Sequence, residues 1–140
     1  MSPILYLFYN ADLLEESEDI AISVTPTGFI DDISLLTYSK STERNIKNLE
    51  KAYRKCLSWA RTYESRFNPE KSELIHFLGR KRKARRPPIT LEGRVIKPTK
   101  SIRFLGVFLD KGLTYKAHLI ALNTKIPILL SALKSIILLT

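Results

Sequence analysis

Cysteine and histidine are scarce in this chain of 140 residues. Cys56 is the single cysteine, so the chain can form neither a disulfide framework nor a cysteine-based zinc cluster. This cysteine content suits a reducing compartment, and we expect an intracellular location, in the nucleus or the cytoplasm. His76 and His118 are the two histidines, and their surroundings favour packing roles over catalysis.

Long hydrophobic runs are also scarce, and we expect no secretory signal. The most apolar stretch, residues 126–140, is too short for a confident membrane span and contains Lys134. The apolar run at the N-terminus has no basic leader and soon reaches Asn10 and Asp12. We therefore expect no membrane partner and assign residues 126–140 to a packed helix.

Acidic residues are scarce after position 40. The first 40 residues hold seven acidic residues and one lysine, whereas residues 41–140 hold 22 basic and seven acidic residues. The whole chain has a formal charge of +9, which favours a polyanionic partner such as nucleic acid. Hydrophobic residues make up 44% of the sequence and charged residues 26%, which is typical of a globular domain or part of one.

Three segments have the periodicity of helices. Residues 3–16 form the first, and the second begins with Ser41 as its N-cap. The third extends from about residue 116 to the chain end, with a kink predicted at Pro127. The second helix has a basic face, which is either a solvated surface or a phosphate-contacting one. The rest of the helix carries an apolar stripe of Ile46, Leu49, Tyr53, Cys56, Leu57, Ala60 and Tyr63.

Strands are predicted from β-prone runs in the second half of the chain. Residues 71–78 predict one strand. Residues 89–96 predict a hairpin, because the dipeptide Glu92-Gly93 suits a two-residue turn. Residues 101–109 predict a further strand, interrupted by a bulge or a close backbone approach at Gly106.

Asp31 and Asp32 lie between two short β-prone runs. This pattern predicts a hairpin with an acidic tip, where the carboxylates avoid the cost of burial. Hard divalent cations such as Mg²⁺ prefer oxygen ligands of this kind, and phosphoryl transfer with two metal ions requires them. An ordinary turn is the alternative, because aspartate is common in turns.

A basic loop follows the predicted strand of residues 71–78 and ends at two prolines. Such a loop is either a phosphate-contacting segment or a solubilising linker, and the sequence leaves both interpretations open. Its basic residues are Arg80, Lys81, Arg82, Lys83, Arg85 and Arg86.

Four segments, in this order, resemble motifs of reverse transcriptases from non-LTR retrotransposons, especially fungal ones. Ser2–Leu14 resembles the later half of the motif that contacts template and nucleotide, and Phe29–Asp32 resembles the catalytic aromatic-x-Asp-Asp motif. Phe67–Leu74 is similar to the Asn-x-x-Lys motif, and Ser101–Asp110 to the Leu-Gly segment of the primer grip. A fifth segment, Leu113–His118, looks like the entry into the thumb.

The resemblance implies a role for each matched residue. Asp31 would bind catalytic Mg²⁺ or Mn²⁺ ions, with Asp32 assisting at the same site. Lys71 would lie near the incoming deoxynucleoside triphosphate and assist the departing pyrophosphate. The segment Phe104-Leu105-Gly106 would support the primer end. The implied partners are an RNA template and a DNA primer.

The implied fold is α+β. Residues 1–110 would form a partial polymerase palm, with an antiparallel sheet that carries the acidic hairpin and helices that back it. Residues 111–140 would begin a helical thumb. In this family the fingers and another metal-binding aspartate lie upstream of the motif in which this chain starts. Without the fingers, an apolar face should be exposed near Leu5 and Phe8. Ile30 stands where many relatives have alanine.

The predicted function is that of a fragment of an RNA-directed DNA polymerase, inactive in isolation unless another chain supplies the missing segment. Two alternatives remain. A non-catalytic nucleic-acid-binding module predicts binding that weakens steeply with salt and does not depend on Asp31. An inert retroelement relic predicts that neither Mg²⁺ nor nucleic acid raises the melting temperature.

Overall fold

The computed structural model of the chain describes residues 3–19, 21, 23–77 and 85–137. These residues form an α+β structure with three α-helices and three two-stranded antiparallel sheets, rather than one continuous sheet. One compact unit comprises the described residues of Met1–Leu74 and Ala84–Lys97, and the other those of Ile75–Lys83 and Pro98–Thr140. The palm–thumb boundary after residue 110 stays a prediction. Across the described ranges, no helix is both long and apolar enough to cross a membrane.

The first unit begins with helix α1 (Pro3–Ser17) and a hairpin of strands β1 (Val24–Phe29) and β2 (Asp32–Thr37). The helix confirms the first helical prediction and ends one residue later. The two strands pair in register from Val24 opposite Thr37 to Phe29 opposite Asp32. Ile30 and Asp31 are therefore the two residues that connect the strands.

Helix α2 (Thr42–Thr62) is the scaffold of the first unit. The Ser41 side chain caps it by accepting a hydrogen bond from the backbone N–H of Arg44, at 3.3 Å, which confirms the predicted start. Its buried residues include Ile46, Cys56 and Ala60 of the predicted stripe, together with Ala52 and Trp59.

Two apolar clusters pack other elements onto α2. The cluster near its C-terminal end joins α1 to α2 through buried Leu13, Cys56, Trp59 and Ala60, and half-buried Ile33 and Leu35 of β2 pack against it. The cluster near its N-terminal end consists of Ile46, Leu74, Ile89, Leu91 and Ile96. Burial in the first cluster raises the pKa of the Cys56 thiol, consistent with a packing residue.

The second cluster holds the hairpin of strands β3 (Ile89–Leu91) and β4 (Arg94–Ile96). Glu92 and Gly93 have φ values of 48° and 80°, so both turn residues are left-handed, which confirms the predicted two-residue turn. The Tyr53 hydroxyl donates a hydrogen bond of 2.6 Å to Glu92. Burial, reinforced by this bond to a carboxylate, raises the pKa of Tyr53.

The strand predicted at residues 71–78 is wrong. Pro69–Lys71 forms a 3-10 turn, which Asn68 caps by accepting a hydrogen bond from the Glu70 backbone at 2.9 Å. Residues 72–77 contain no strand. Burial still alternates as it would in a strand, because Leu74 and His76 are buried and Glu73 is exposed. A strand also needs a partner, and no described segment forms a continuous ladder with this one.

The second unit contains strands β5 (Ser101–Phe104) and β6 (Val107–Asp110) and helix α3 (Lys116–Ile137). The two strands form a hairpin, so the single bulged strand predicted for residues 101–109 is wrong. Leu105 and Gly106 have φ values of 46° and 84° and reverse the chain as a two-residue turn. Helix α3 includes Pro127 and confirms the third helical prediction as far as Ile137.

Several large apolar side chains are exposed. Leu5 and Phe8 on α1 are 60% and 76% exposed, as expected from the sequence. Helix α3 exposes more large apolar side chains: Leu119, Ile120, Leu122, Ile126, Ile128, Leu129, Leu130 and Leu133. The packing expected for the helix of residues 126–140 is therefore not observed over the part of it that the structure describes.

Candidate active site

The acidic dipeptide lies where the β1–β2 hairpin reverses direction. Asp31 is the second residue of the turn, and Asp32 is the first residue of β2. Ile30, the first residue of the turn, has a φ of 52°, in the left-handed region. This conformation is uncommon for a β-branched residue, so surrounding contacts must hold it.

Two of the contacts that helix α1 makes with this hairpin lie close to the turn. The Asn10 side chain, 5% exposed, donates a hydrogen bond from Nδ2 to the Ile30 carbonyl oxygen at 2.9 Å. Gly28 lies so close to α1 that an added Cβ would be 3.1 Å and 3.2 Å from the Leu14 methyl carbons. The turn is thus attached to the helix by a hydrogen bond at Ile30 and by close packing at Gly28.

The carboxylates of Asp31 and Asp32 are both exposed. Their oxygens take part in no hydrogen bond or ion pair with other described residues. They are therefore available to a cation. In the part of the chain that the structure describes, no third aspartate, glutamate, histidine or cysteine joins them in a group that could hold a metal ion.

Lys71 is the last residue of the 3-10 turn, in the same unit as the acidic turn, and its side chain is exposed. Its ammonium forms no ion pair with a described residue, and hence none with Asp31 or Asp32. The structure therefore leaves the Lys71 side chain open to an anionic ligand, without joining it to the acidic turn.

The predicted primer-supporting segment, Phe104-Leu105-Gly106, belongs to the second unit. Phe104 is half-buried at the end of β5, whereas Leu105 is 49% exposed at the hairpin turn. Beyond this turn, His118 near the start of α3 accepts a hydrogen bond at Nδ1 from the Phe108 backbone, at 3.4 Å. This contact agrees with the packing role expected for His118.

The basic residues of the predicted loop and of α2 differ in what the structure shows of them. Arg80, Lys81, Arg82 and Lys83 lie outside the described residues, whereas Arg85 and Arg86 are described and exposed. On α2, Lys51 and Lys55 contact Asp19 at 3.5 Å and 3.0 Å, so part of the basic face is neutralised within the protein. The exposed cations of this helix that form no such pair are Arg44, Lys47, Arg54 and Arg61.

The sequence matches the family model described as reverse transcriptase (RNA-dependent DNA polymerase) over residues 1–109, which include the acidic turn. The chain belongs to the reverse transcriptase family. It is 28% identical to the RNA-directed DNA polymerase from mobile element jockey of Drosophila melanogaster, over 85% of this chain and 13% of the relative. It is 23% identical to the probable RNA-directed DNA polymerase from transposon X-element of Drosophila melanogaster, over 90% of this chain and 14% of the relative.

A third relative, the probable RNA-directed DNA polymerase from transposon BS of Drosophila melanogaster, is 28% identical over 85% of this chain and 14% of its own length. These matches confirm the predicted reverse transcriptase family and its non-LTR retrotransposon type, while the fungal type stays a prediction. The chain thus spans only 13% or 14% of the length of these relatives. No solved structure matches it significantly.

Asn10 is the residue near the candidate site to which the sequence pattern assigns no role. It is a polar residue within an otherwise apolar helical stretch, which is the one signal that could have drawn attention to it. Buried asparagines are normally hydrogen-bonded, so such a position predicts a specific partner. The partner itself, 20 residues away in the chain, follows only from the tertiary structure.

Proposed function

We propose that this chain contributes the catalytic acidic turn of a retrotransposon RNA-directed DNA polymerase, with Asp31 and Asp32 as cation ligands. The observation that carries the proposal is the exposed pair of carboxylates at a hairpin turn, inside the segment that matches the reverse transcriptase family. The parent reaction would join the primer 3′-hydroxyl to the α-phosphate of a deoxynucleotide on an RNA template.

The two carboxylates fit a divalent cation. Mg²⁺ is commonly bound by one or two carboxylates, with waters and substrate phosphates in the remaining positions. Asp31 and Asp32 supply two such groups, and no described residue competes for their oxygens. When bound there, Mg²⁺ or Mn²⁺ would supply positive charge against the reacting phosphate.

Three further roles belong to the same proposal. The exposed Lys71 would hold its ammonium near the triphosphate and supply charge or a proton to the leaving pyrophosphate. The turn Phe104-Leu105-Gly106 would support the primer end. Arg85 and Arg86, together with the other basic residues of their loop, would contact phosphates of the RNA template or DNA primer.

Titration of the 140-residue chain with Mn²⁺ tests the metal site, with paramagnetic broadening of backbone amide NMR signals as the readout. We expect the amides of Asp31 and Asp32 to broaden first. The variant Asp31→Asn should weaken Mn²⁺ binding by about tenfold or more, since loss of even an outer-shell partner typically costs that much. Mg²⁺ should compete with Mn²⁺ for the same position.

Glu15→Gln is the matched control, because Glu15 is an exposed carboxylate on α1 and its loss changes the net charge by the same amount. This variant should retain the affinity of the unmodified chain. Equal affinities for Asp31→Asn, Glu15→Gln and the unmodified protein would refute a cation site at the acidic turn.

We expect no primer extension by the 140 residues alone, because catalysis with two metal ions depends on ligand number and geometry. Mapping the 5′ end of the transcript and translating the upstream frame tests whether a longer product exists. If that frame encodes a further metal-binding aspartate, Asp31→Asn in the longer product should abolish primer extension. Retained extension would contradict the catalytic assignment.

A non-catalytic nucleic-acid-binding function is the second candidate. The observation that favours it is the set of exposed α2 cations without an ion pair among the described residues: Arg44, Lys47, Arg54 and Arg61. Binding to a phosphate backbone should weaken linearly with the logarithm of the salt concentration, because each neutralised phosphate releases counterions. This affinity should be unchanged by Asp31→Asn and reduced by Arg54→Gln.

A further inference from the structure

The amide of Asn10 is a buried polar group directed at the acidic turn. Its side chain is 5% exposed, inside a helix whose neighbouring buried side chain, Leu13, belongs to an apolar cluster. The partner of its Nδ2 is the carbonyl oxygen of Ile30, at 2.9 Å. Without the Ile30 carbonyl, the buried Nδ2 donor of Asn10 would lose its hydrogen-bond acceptor, which is energetically costly. The hydrogen bond therefore connects α1 to one particular peptide group.

That peptide group directly precedes Asp31. The Ile30 carbonyl belongs to the peptide that joins Ile30 to Asp31, and Ile30 itself has a φ of 52°. A β-branched residue in this conformation persists only when surrounding contacts determine it. The Asn10 bond therefore constrains both the conformation of the turn and the position of the residue that follows.

A second and independent contact places the same helix against the same hairpin. Gly28 lies two residues before Ile30, and a methyl group there would approach the Leu14 methyl carbons to 3.1 Å and 3.2 Å. Such an approach forces a neighbour to move. Helix α1 thus contacts the hairpin on both sides of Phe29, once by packing and once by a hydrogen bond.

We propose that Asn10 is a positioning residue, which fixes the Ile30 carbonyl and thereby the turn that presents Asp31 and Asp32 to a divalent cation. This role rests on the proposed cation site, because Asn10 itself contacts neither the cation nor the substrate. It acts through the backbone of the turn, so its loss should affect the cation site more than the rest of the fold.

The test uses the 140-residue chain and Asn10→Leu, which keeps the branching of the side chain but replaces the amide by two methyl groups and so removes the donor. We expect the Mn²⁺ affinity measured at the Asp31 and Asp32 amides to fall about tenfold, the effect typical of losing an outer-shell partner. Amide hydrogen exchange from Ile30 to Asp32 should accelerate, while exchange in the β3–β4 hairpin stays unchanged. Asn45→Leu, at a half-buried asparagine on α2, is the matched control and should change neither quantity at the turn.

The two readouts separate the failure of this inference from the failure of the proposed function. Mn²⁺ binding that depends on Asp31 but is unchanged by Asn10→Leu overturns the positioning role and leaves the cation site intact. If Mn²⁺ affinity does not depend on Asp31, the proposed cation site fails. The exchange rates then still decide whether Asn10 holds the turn, because unchanged exchange in Asn10→Leu overturns that role without reference to the metal.

Gly28→Ala provides a second route in case Asn10→Leu does not fold. The added methyl group would lie 3.1 Å and 3.2 Å from the Leu14 methyl carbons, so Leu14 or the hairpin must shift by a few tenths of an ångström. We expect this shift to weaken Mn²⁺ binding and Leu14→Ala in the same chain to restore it, whereas unchanged binding in Gly28→Ala would contradict control of the turn by this contact. Failure of the double variant to recover any affinity, with both variants folded, would contradict control of the turn by α1.

Discussion

Substitution of Leu13 by alanine tests the packing that holds α1, and with it the acidic turn, against α2. Leu13 is 1% exposed and belongs to the cluster that also contains Trp59. The change removes three carbon groups, each contributing about 0.8 kcal/mol when buried, or about 2.4 kcal/mol in transfer free energy. A residual cavity should bring the loss in unfolding free energy to about 3–4 kcal/mol.

Leu36→Ala is the matched control. The side chain of Leu36 on β2 is 58% exposed, so the same chemical change there should cost only about 1 kcal/mol and leave no closed cavity. The losses in unfolding free energy for Leu13→Ala and Leu36→Ala are thus predicted to differ by about 2–3 kcal/mol. Domains of ordinary size have a total stability of about 5–15 kcal/mol, so this difference is large enough to measure.

Urea unfolding followed by tryptophan fluorescence is the appropriate assay. Trp59 is the single tryptophan of the chain and lies in the same cluster as Leu13, so its signal reports on the first unit. With an m-value of about 2 kcal/mol/M, Leu13→Ala should lower the midpoint by about 1.5–2 M and Leu36→Ala by about 0.5 M. Equal shifts with unchanged m-values would refute the packing of α1 on α2.

Two further predictions concern the second unit. Gly106→Ala should destabilise the β5–β6 hairpin by about 1 kcal/mol, because Gly106 has a φ of 84°. Gly112→Ala, at a residue outside the left-handed region, is the control and should cost less. Hydrogen exchange of the hairpin amides measures both effects, and equal effects would contradict the turn geometry. Asp110 accepts hydrogen bonds from the backbone and hydroxyl of Thr114 and from the Gly112 backbone, and these bonds lower the pKa of its carboxyl in the folded state. The Asp110 carboxylate therefore stabilises the fold above its unfolded-state pKa, and this stabilisation is lost as the pH falls through its folded-state pKa. Asp110→Asn should consequently flatten the acid side of the Tm–pH profile. An unchanged profile would contradict this prediction.

The helices were predictable because their signals are local. Ser41 caps α2 three residues before its partner N–H, and the apolar stripe repeats within the helix itself. The turn at Glu92-Gly93 was equally local, since glycine at the second position permits the positive φ that a two-residue hairpin needs. In each of these cases the residues that determine the structure lie within a few positions of one another.

The errors concern strands whose identity depends on a partner. The alternating burial around Leu74 resembles that of a strand, yet no described segment pairs continuously with it. At Leu105-Gly106 the first turn residue is an apolar leucine, so the dipeptide lacks the polar residue found at Glu92-Gly93, and Gly106 was interpreted as a bulge or a close backbone approach. Both outcomes depend on which strands pair, which is a non-local property.

In the candidate site, too, the local feature was predictable from the sequence and the non-local one was not. The pattern of Asp31 and Asp32 between β-prone runs located the turn, but the support for that turn comes from Asn10 and Leu14, which precede it by more than a dozen residues. In the proposed site, Asp31 and Asp32 would supply two cation ligands and α1 would position them, and no third candidate ligand joins them among the described residues. The proposal therefore predicts that cation binding can be measured in this chain separately from nucleotide transfer. A chain that binds Mn²⁺ through Asp31 yet extends no primer would be the expected behaviour of a positioned but incomplete site.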